Sequence, residues 1–164
     1  MSLPYAIMAL VTLQRLAELV IAERNTRRLR AQGAIEIGRE HYPAMVLLHA
    51  SWLIVLWLSV GGRPVNLVLL GIFVVLQALR VWVLAPLGAR WTTRIIVLPG
   101  LPLVTNGPFR FLRHPNYCVV IGEIAILPLV FGLTLVAIAF SFLNAAMLIV
   151  RIRSESQALY GAAA

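Results

Sequence analysis

The hydrophobic positions of this chain form four long runs, at about residues 3–22, 43–60, 65–87 and 117–150. A helix that crosses a membrane needs about 20 apolar residues, and each of the first three runs is close to that length. The fourth run is too long for one crossing, and Pro128 and Gly132 interrupt it. We therefore predict a hairpin of two short helices there, at about 117–131 and 133–150. The pattern predicts an all-α polytopic membrane protein with about five transmembrane helices.

The composition agrees with a single membrane domain over residues 1–164. Apolar residues make up 61% of the chain, charged residues 12%, and the mean hydropathy is +0.91, which a soluble domain does not reach. An open sheet edge in lipid would leave backbone groups unpaired, so we predict no strands. A single cysteine and three histidines on separate segments lack the spacing of metal ligands, and we predict no metal.

The charges favour one orientation in the membrane. The net charge is +8, and all 14 cations are arginine. Most of them lie in the connectors 23–42 and 88–116 and after residue 150. Because cytoplasmic loops are rich in cations, we expect the N-terminus outside and these loops in the cytoplasm, in a bacterial inner membrane. Clustering at span ends also argues against nucleic acid as a partner.

Polar side chains inside the apolar runs share a predicted depth. At a rise of about 1.5 Å per residue, four of them lie roughly 9 to 11 Å from the cytoplasmic ends of their helices. A buried charge costs about 2.5 to 3.5 kcal/mol on insertion scales, so this layer predicts mutual pairing or a wet pocket. Its members are Arg80, Glu123, Asn144 and His49, with Arg15, Glu18 and Gln14 close to the same face.

Each of these residues also has a simpler interpretation. Arg80 could extend its stem to the headgroups. Arg15 and Glu18, three apart on a helix, could neutralise each other, and the histidine of the second run could be a packing residue. At the end of the last run, Arg151 and Glu155 are either a surface ion pair or part of a ligand site.

The segment 106–117, NGPFRFLRHPNY, predicts a binding site for an anion at the membrane surface. Pro115 suits the first position of a helix. The helix amides and the positive end of its dipole would then face the same volume as Arg110, Arg113 and His114. This arrangement suits a carboxylate or a phosphate. The alternative is a basic loop that holds anionic lipid headgroups.

Several motifs together resemble the isoprenylcysteine carboxyl methyltransferase family of integral-membrane, S-adenosylmethionine-dependent methyltransferases. They are LVTNGPFRFLRHPNY, the helical hairpin that follows, and R-x-x-x-E at Arg151 and Glu155. Upstream, LQALRVWVLAPLG places Arg80 where the family has an arginine. The N-terminal half, with QRLAEL and RRLRAQGAIEIGREHYP, is similar to a bacterial branch that accompanies type III polyketide synthases and O-methylates alkylpyrones.

The resemblance implies an O-methyltransferase that uses S-adenosylmethionine and a small lipophilic acceptor. It implies that the loop 88–116 and the tail 151–160 bind the cofactor. Arg113 and His114 would hold its polar end, and Tyr117 would pack beside it. Arg151 would fix Glu155, which would take a cationic or hydroxyl group.

The resemblance also places Arg80 against the acceptor. Arg80 would orient a carboxylate, such as that of a prenylated cysteine, by paired hydrogen bonds. With an enolic or phenolic hydroxyl, as in an alkylpyrone, it would stabilise the oxyanion while Glu123 or His49 accepted the proton. The tail departs from the family where Ser154-Glu155 replaces paired glutamates, which weakens the case for a prenylcysteine.

A non-enzymatic lipid-binding or transport subunit is the alternative from another class. A transport path would need polar groups that continue to the far side of the membrane. The outer half-spans consist mainly of Val, Leu and Ile, which favours the enzyme. The acceptor and the oligomeric state stay open at this point.

Overall fold

Five α-helices account for most of the chain in a computed structural model that describes residues 2–160, with the side chains of residues 2–158. The all-α membrane architecture predicted from the hydrophobic pattern is confirmed. In chain order the helices are α1 Leu3–Ala31, α2 Tyr42–Ser59, α3 Leu67–Leu87, α4 Pro115–Val130 and α5 Thr134–Tyr160.

Four of these helices, α1, α2, α3 and α5, are long and apolar enough to cross a membrane. Helix α4 has 16 residues, which span about 24 Å, less than a hydrocarbon core of about 30 Å. The expected fifth crossing is therefore a shorter apolar helix. It forms a hairpin with α5 through Gly132, whose φ of +69° suits a residue without a side chain.

Two helices extend well beyond the predicted apolar runs. Helix α1 continues to Ala31 rather than ending near residue 22, and α5 continues to Tyr160 rather than ending near residue 150. The end of an apolar run marks where lipid ends, whereas backbone hydrogen bonds continue into water. The tail 151–160 is therefore the last part of α5, so Arg151 and Glu155 lie one turn apart on the same helix.

The prediction that the chain has no strands is wrong. Strands β1, Ile35–Ile37, and β2, Ile95–Val97, pair antiparallel with Glu36 opposite Ile96. The unpaired backbone groups of an open sheet edge are costly only within lipid, and both strands lie in the connectors outside the apolar runs. Here side chains and water can satisfy a sheet edge. Strands β1 and β2 therefore form a short sheet over one end of the bundle, and we call this sheet with its two connectors the cap.

The apolar core lies at the other end of the bundle. It joins the start of α1, the end of α2 and the hairpin, with Met8, Leu56 and Phe131 fully buried. Helices α3 and α4 approach closely, since a Cβ on Gly122 would lie 2.8 Å from Leu76 Cδ2. This contact brings the neighbouring positions of α3 and α4, including Arg80 and Glu123, within reach of each other.

An acidic side chain holds the cap to the bundle. Arg94 Nη1 donates to Glu36 Oε1 at 2.6 Å, and Arg30 of α1 also pairs with Glu36. The Arg94 guanidinium lies 3.9 Å from the centre of the Tyr42 ring. Burial disfavours the charge on Glu36, but the hydrogen bond from Arg94 and the charges of Arg94 and Arg30 outweigh it. The pKa of Glu36 is therefore lower than usual.

We expect Glu36→Gln to loosen the cap. Amide hydrogen exchange in β1 and β2 should become up to about fivefold faster, because a surface ion pair contributes at most about 1 kcal/mol. The difference from the unmodified protein should persist below the ordinary glutamate pKa of about 4.3. It should disappear only as the pH falls through the lower pKa of Glu36. Glu40→Gln, in the adjoining exposed turn, is the control and should leave exchange unchanged.

Candidate functional site

The charged side chains inside the helices meet in one network. Arg80 of α3 holds Glu18 of α1 with two hydrogen bonds, Nε to Oε1 and Nη2 to Oε2, both at 2.6 Å. Its Nη1 donates to Glu123 Oε2 of α4 at 3.0 Å. Only 6% of Arg80 is exposed, so it does not extend to the headgroups. Parallel donation of this kind is the strong form of an arginine–carboxylate pair.

Arg15 closes the network from the other side. Its Nη1 lies 3.1 Å from Glu18 Oε2, and its Nη2 lies 2.8 Å from Glu123 Oε2. Arg15 and Glu18 therefore do not merely neutralise each other, because each also contacts a charge on another helix. Two guanidiniums and two carboxylates alternate, and their formal charges sum to zero. This balance is what a buried cluster requires.

Two glutamines complete the same layer. Gln14 donates to Gln77 Oε1 at 2.8 Å and to Glu18 Oε1 at 3.1 Å. Gln77 donates to Glu123 Oε1 at 2.9 Å. The sequence interpretation missed Gln77, although its position three residues before Arg80 places it on the same face of α3.

These contacts bear on the expected roles of Arg80 and Glu123. Both oxygens of Glu123 already accept hydrogen bonds or ion-pair contacts from Arg80, Arg15 and Gln77. That makes Glu123 better suited to fix Arg80 than to accept a proton. Arg80 uses three of its five N–H groups, which leaves two donors for a ligand.

A cavity of about 680 Å³ lies between the charged network and the cap. Its volume is within the roughly 300–1,000 Å³ range of small-molecule sites. Arg110 is not part of its wall, so the expectation that both loop arginines face one volume is wrong. Arg110 is the last residue of the 3₁₀ turn Gly107–Arg110, and its side chain is exposed. Every other residue predicted for the site lines the cavity, namely Arg80, Glu123, Arg113, His114, Tyr117, Arg151 and Glu155.

The His-Pro step forms the polar end of the cavity. Helix α4 begins at Pro115 with His114 as its N-cap. The His114 ring stacks on Tyr117 with ring centres 5.6 Å apart, its Nδ1 lies 3.3 Å from Glu155 Oε2, and its Nε2 lies 3.2 Å from Ser156 Oγ. Residues from the start of α4 and the end of α5 thus meet at one place.

Arg151 links α5 to the cap rather than to Glu155. Its Nη2 donates to the Thr93 carbonyl at 2.9 Å, while its Nε is buried and has no hydrogen bond within the described residues. The expected Arg151–Glu155 pair is therefore not formed as a hydrogen bond there. Arg151 instead satisfies the Thr93 carbonyl, which lies just before β2.

Unpartnered polar atoms are concentrated on this cavity. In the described part of the chain, six buried side-chain polar atoms have no hydrogen bond. Buried polar groups are nearly always paired in folded proteins, so such a cluster indicates a ligand site. Five of the six belong to residues of the cavity wall: Trp52 Nε1, Asn116 Oδ1, Asn144 Oδ1, Arg151 Nε and Glu155 Oε2.

His49 also lines the cavity. Its Nδ1 lies 2.9 Å from the Met45 carbonyl one turn earlier. Within residues 2–160, no cluster of three or more His, Cys, Asp or Glu side chains could hold a metal ion.

Fold and cavity together define a polytopic membrane protein with a ligand-sized pocket beneath a loop cap. Residues 68–161 match the isoprenylcysteine carboxyl methyltransferase (ICMT) family. The chain belongs to this family, whose members are membrane methyltransferases. The family match covers nearly all of α3, the connector between α3 and α4, α4 and α5. These segments carry all seven predicted site residues.

Two relatives cover nearly the whole chain. An uncharacterized protein YpbQ of Bacillus subtilis (strain 168) is 39% identical over 160 residues, which are 94% of this chain and 95% of the relative. An uncharacterized protein of Haemophilus influenzae is 25% identical over 151 residues, 88% of each chain. No solved structure matches the chain.

We expect the buried network to depend on charge balance. Glu18→Gln should lower the free energy of unfolding by about 3 kcal/mol, because it leaves a guanidinium without its partner. Adding Arg15→Gln should recover part of that loss by restoring neutrality. Thermal unfolding in detergent measures both. Arg27→Gln, in an exposed pair on the same helix, should have little effect, and equal stability of the single and double variants would contradict the role of charge balance.

Proposed function

We propose that this protein is an S-adenosylmethionine-dependent O-methyltransferase that acts on a small lipophilic acceptor in the membrane. The observation that carries this proposal is the group of buried polar atoms without a hydrogen bond, within the described residues, on the wall of one cavity. Membership of a methyltransferase family supports the reaction class. The predicted cofactor residues lie on the same wall.

The polar end of the cavity has groups that fit this cofactor. Glu155 Oε2 has no hydrogen bond within the described residues, although it lies 3.3 Å from His114 Nδ1. It suits an ammonium or a ribose hydroxyl, and Arg113 and His114 suit a carboxylate. The stacked rings of His114 and Tyr117 offer a face to a cation or to a purine. When bound, S-adenosylmethionine supplies a methyl group on a positively charged sulfur.

We propose that Arg80 binds the methyl acceptor and that Glu123 holds the Arg80 guanidinium in place. The bidentate pair with Glu18 and the contact with Glu123 fix the guanidinium plane. Its two remaining N–H groups can then orient an acceptor oxygen, because the side chain is already held in one conformation. Positioning of this kind can supply about 7 to 11 kcal/mol of the barrier to a displacement reaction.

The apolar wall supports a lipophilic acceptor that enters from the side. Leu16 and Leu19 of α1 and Val46 of α2 line the cavity and are also about half exposed on the outside. Trp57 Nε1 of α2 donates to Thr12 Oγ1 of α1 at 3.0 Å, nearer the apolar core. An alkyl chain could therefore lie between these helices with its end in the bilayer.

We further propose that the cap faces the cytoplasm, where the cofactor is made. The cap, the end of α1 and the end of α5 lie at the same end of the bundle and carry most of the arginines. The positive-inside rule then places this end in the cytoplasm. A transport subunit is less well supported, because the opposite end is closed by an apolar core.

Calorimetry on the detergent-purified protein tests cofactor binding. S-adenosylmethionine should bind in the micromolar to millimolar range, and Glu155→Gln should weaken binding about tenfold by removing a charged partner. Arg113→Gln should weaken it similarly, whereas Arg110→Gln, in the same loop but away from the cavity, should not. Absence of binding to the unmodified protein would refute the proposed function.

The variant Arg80→Gln distinguishes a role of Arg80 in acceptor binding from a role in cofactor binding. Transfer of labelled methyl groups into a lipid extract should be lost, while cofactor affinity should change less than about threefold. Retained affinity would also show that the variant is folded. Equal loss of transfer and of cofactor affinity would assign Arg80 to the cofactor site instead.

A further inference from the structure

The turn formed by residues 107–112 carries Arg110, which the cavity does not use. Its apolar side chains also point outward, since Phe111 is 73% exposed and Leu112 is 50% exposed. The backbone holds them in this arrangement, because the amides of both residues donate to the Pro108 carbonyl at 3.1 Å. The turn therefore presents a cation and two large apolar side chains on one short, hydrogen-bonded segment.

The base of the 107–112 turn packs against the last part of α3. A Cβ on Gly107 would lie 2.9 Å from Pro86 Cγ and 3.9 Å from Trp82 Nε1. Pro86 and Trp82 belong to the apolar run that ends at residue 87, and they lie about 2 and 8 Å inside that end. Trp82 is itself exposed, which is typical of tryptophan at the boundary between headgroups and acyl chains. The turn thus lies at the depth of that boundary.

The short helix α4 gives the turn a place in the lipid. Its 16 residues span about 24 Å, less than a hydrocarbon core of about 30 Å. Phe111 and Leu112 come just before the start of α4, so they add apolar surface at the end where the helix stops. The sheet of the cap lies farther out, because α1 continues nine residues, about 13 Å, from residue 22 to Ala31 before β1 begins.

The charge of the turn suits an anionic partner. The connector 88–116 has four arginines and no acidic residue. Arg90 and Arg94 bond to other groups of the cap, whereas no described residue forms a hydrogen bond or an ion pair with Arg110. A guanidinium presents its N–H donors in a fixed plane that matches the oxygen atoms of a phosphate.

We propose that the 107–112 turn is a binding site for an anionic phospholipid, in which Phe111 and Leu112 insert between acyl chains and Arg110 binds the headgroup phosphate. A lipid is favoured over a protein partner, because the turn lies at headgroup depth and combines apolar side chains with an unpaired cation. The segment 106–117 therefore has two binding faces. Arg113 and His114 line the cavity, and the 107–112 turn contacts the membrane.

A fluorophore attached through Leu112→Cys tests insertion in nanodiscs of phosphatidylcholine. The substitution is made together with Cys118→Ser, so that the fluorophore has one attachment site. A nitroxide on the lipid acyl chain quenches only a fluorophore that reaches the hydrocarbon, and we expect strong quenching at position 112. Ile35→Cys is the matched control, because Ile35 is 56% exposed in β1 of the cap and its fluorophore should stay in water.

The quenching result decides whether the turn contacts lipid. Phe111→Ser should lower the quenching at position 112, because it removes the larger inserted side chain. Absence of quenching at position 112 would overturn the proposal and leave the surface to water or to a protein partner. Equal quenching at positions 112 and 35 would also overturn it, since the turn would then not differ in depth from the rest of the cap.

Mixed nanodiscs of phosphatidylcholine and phosphatidylglycerol test the headgroup. The nitroxide is carried by one of the two lipids at a time, at equal mole fraction, and labelled phosphatidylglycerol should quench the fluorophore at position 112 more strongly. Arg110→Gln should reduce this preference about fivefold, which is the contribution of one cation near an anionic membrane surface. Added salt should also reduce it by screening. Arg39→Gln, at an exposed arginine of the other connector, removes the same charge and should leave the preference unchanged.

Two results would overturn the role of Arg110. Equal quenching by the two labelled lipids would show an apolar anchor that does not recognise the headgroup. An equal loss of preference in Arg110→Gln and Arg39→Gln would show a general attraction to the net charge of the cap. Neither result bears on the proposed methyltransferase, whose cofactor binding is measured in detergent, and failure of the cofactor to bind there would leave the lipid site intact.

Discussion

The structure depends on the pairing of charges that lie within helices surrounded by lipid. An isolated ion in such surroundings is costly, so Arg80 on α3 needs Glu18 from α1 and Glu123 from α4 at distances of 3.0 Å or less. The pairing thus requires three helices that are distant in sequence to come together. Gly122 permits it, because the absence of a side chain lets α4 approach Leu76 of α3.

The cavity wall also contains polar atoms that have no hydrogen bond within the described residues. Trp52 on α2 and Asn144 on α5 each have one, and Glu155 near the His-Pro step has another. The paired network lines the same cavity through Arg80 and Glu123. Paired and unpaired groups therefore face one volume, and a ligand bound there would contact both.

The cap links the two water-exposed connectors to the end of α5. The pairing of β1 with β2 and the ion pairs of Glu36 hold the connectors together. Arg151 then reaches the Thr93 carbonyl next to β2. Because α5 continues past the apolar run, Glu155 reaches His114 at the start of α4. A ligand bound at this end would contact the cap and the bundle at once.

The sequence alone determined the helical membrane architecture and the family, since lipid admits few alternatives to apolar helices and the His-Pro segment is distinctive. Counting depth along each helix also identified the polar layer, because rise per residue is nearly constant. Only the tertiary structure decided the pairing, namely that Glu123 is held by Arg80 and Arg15, that Arg110 lies outside the cavity, and that Arg151 bonds to Thr93. The rotation of each helix about its axis and the pairing of two connectors are set by contacts between distant segments, which no local pattern contains.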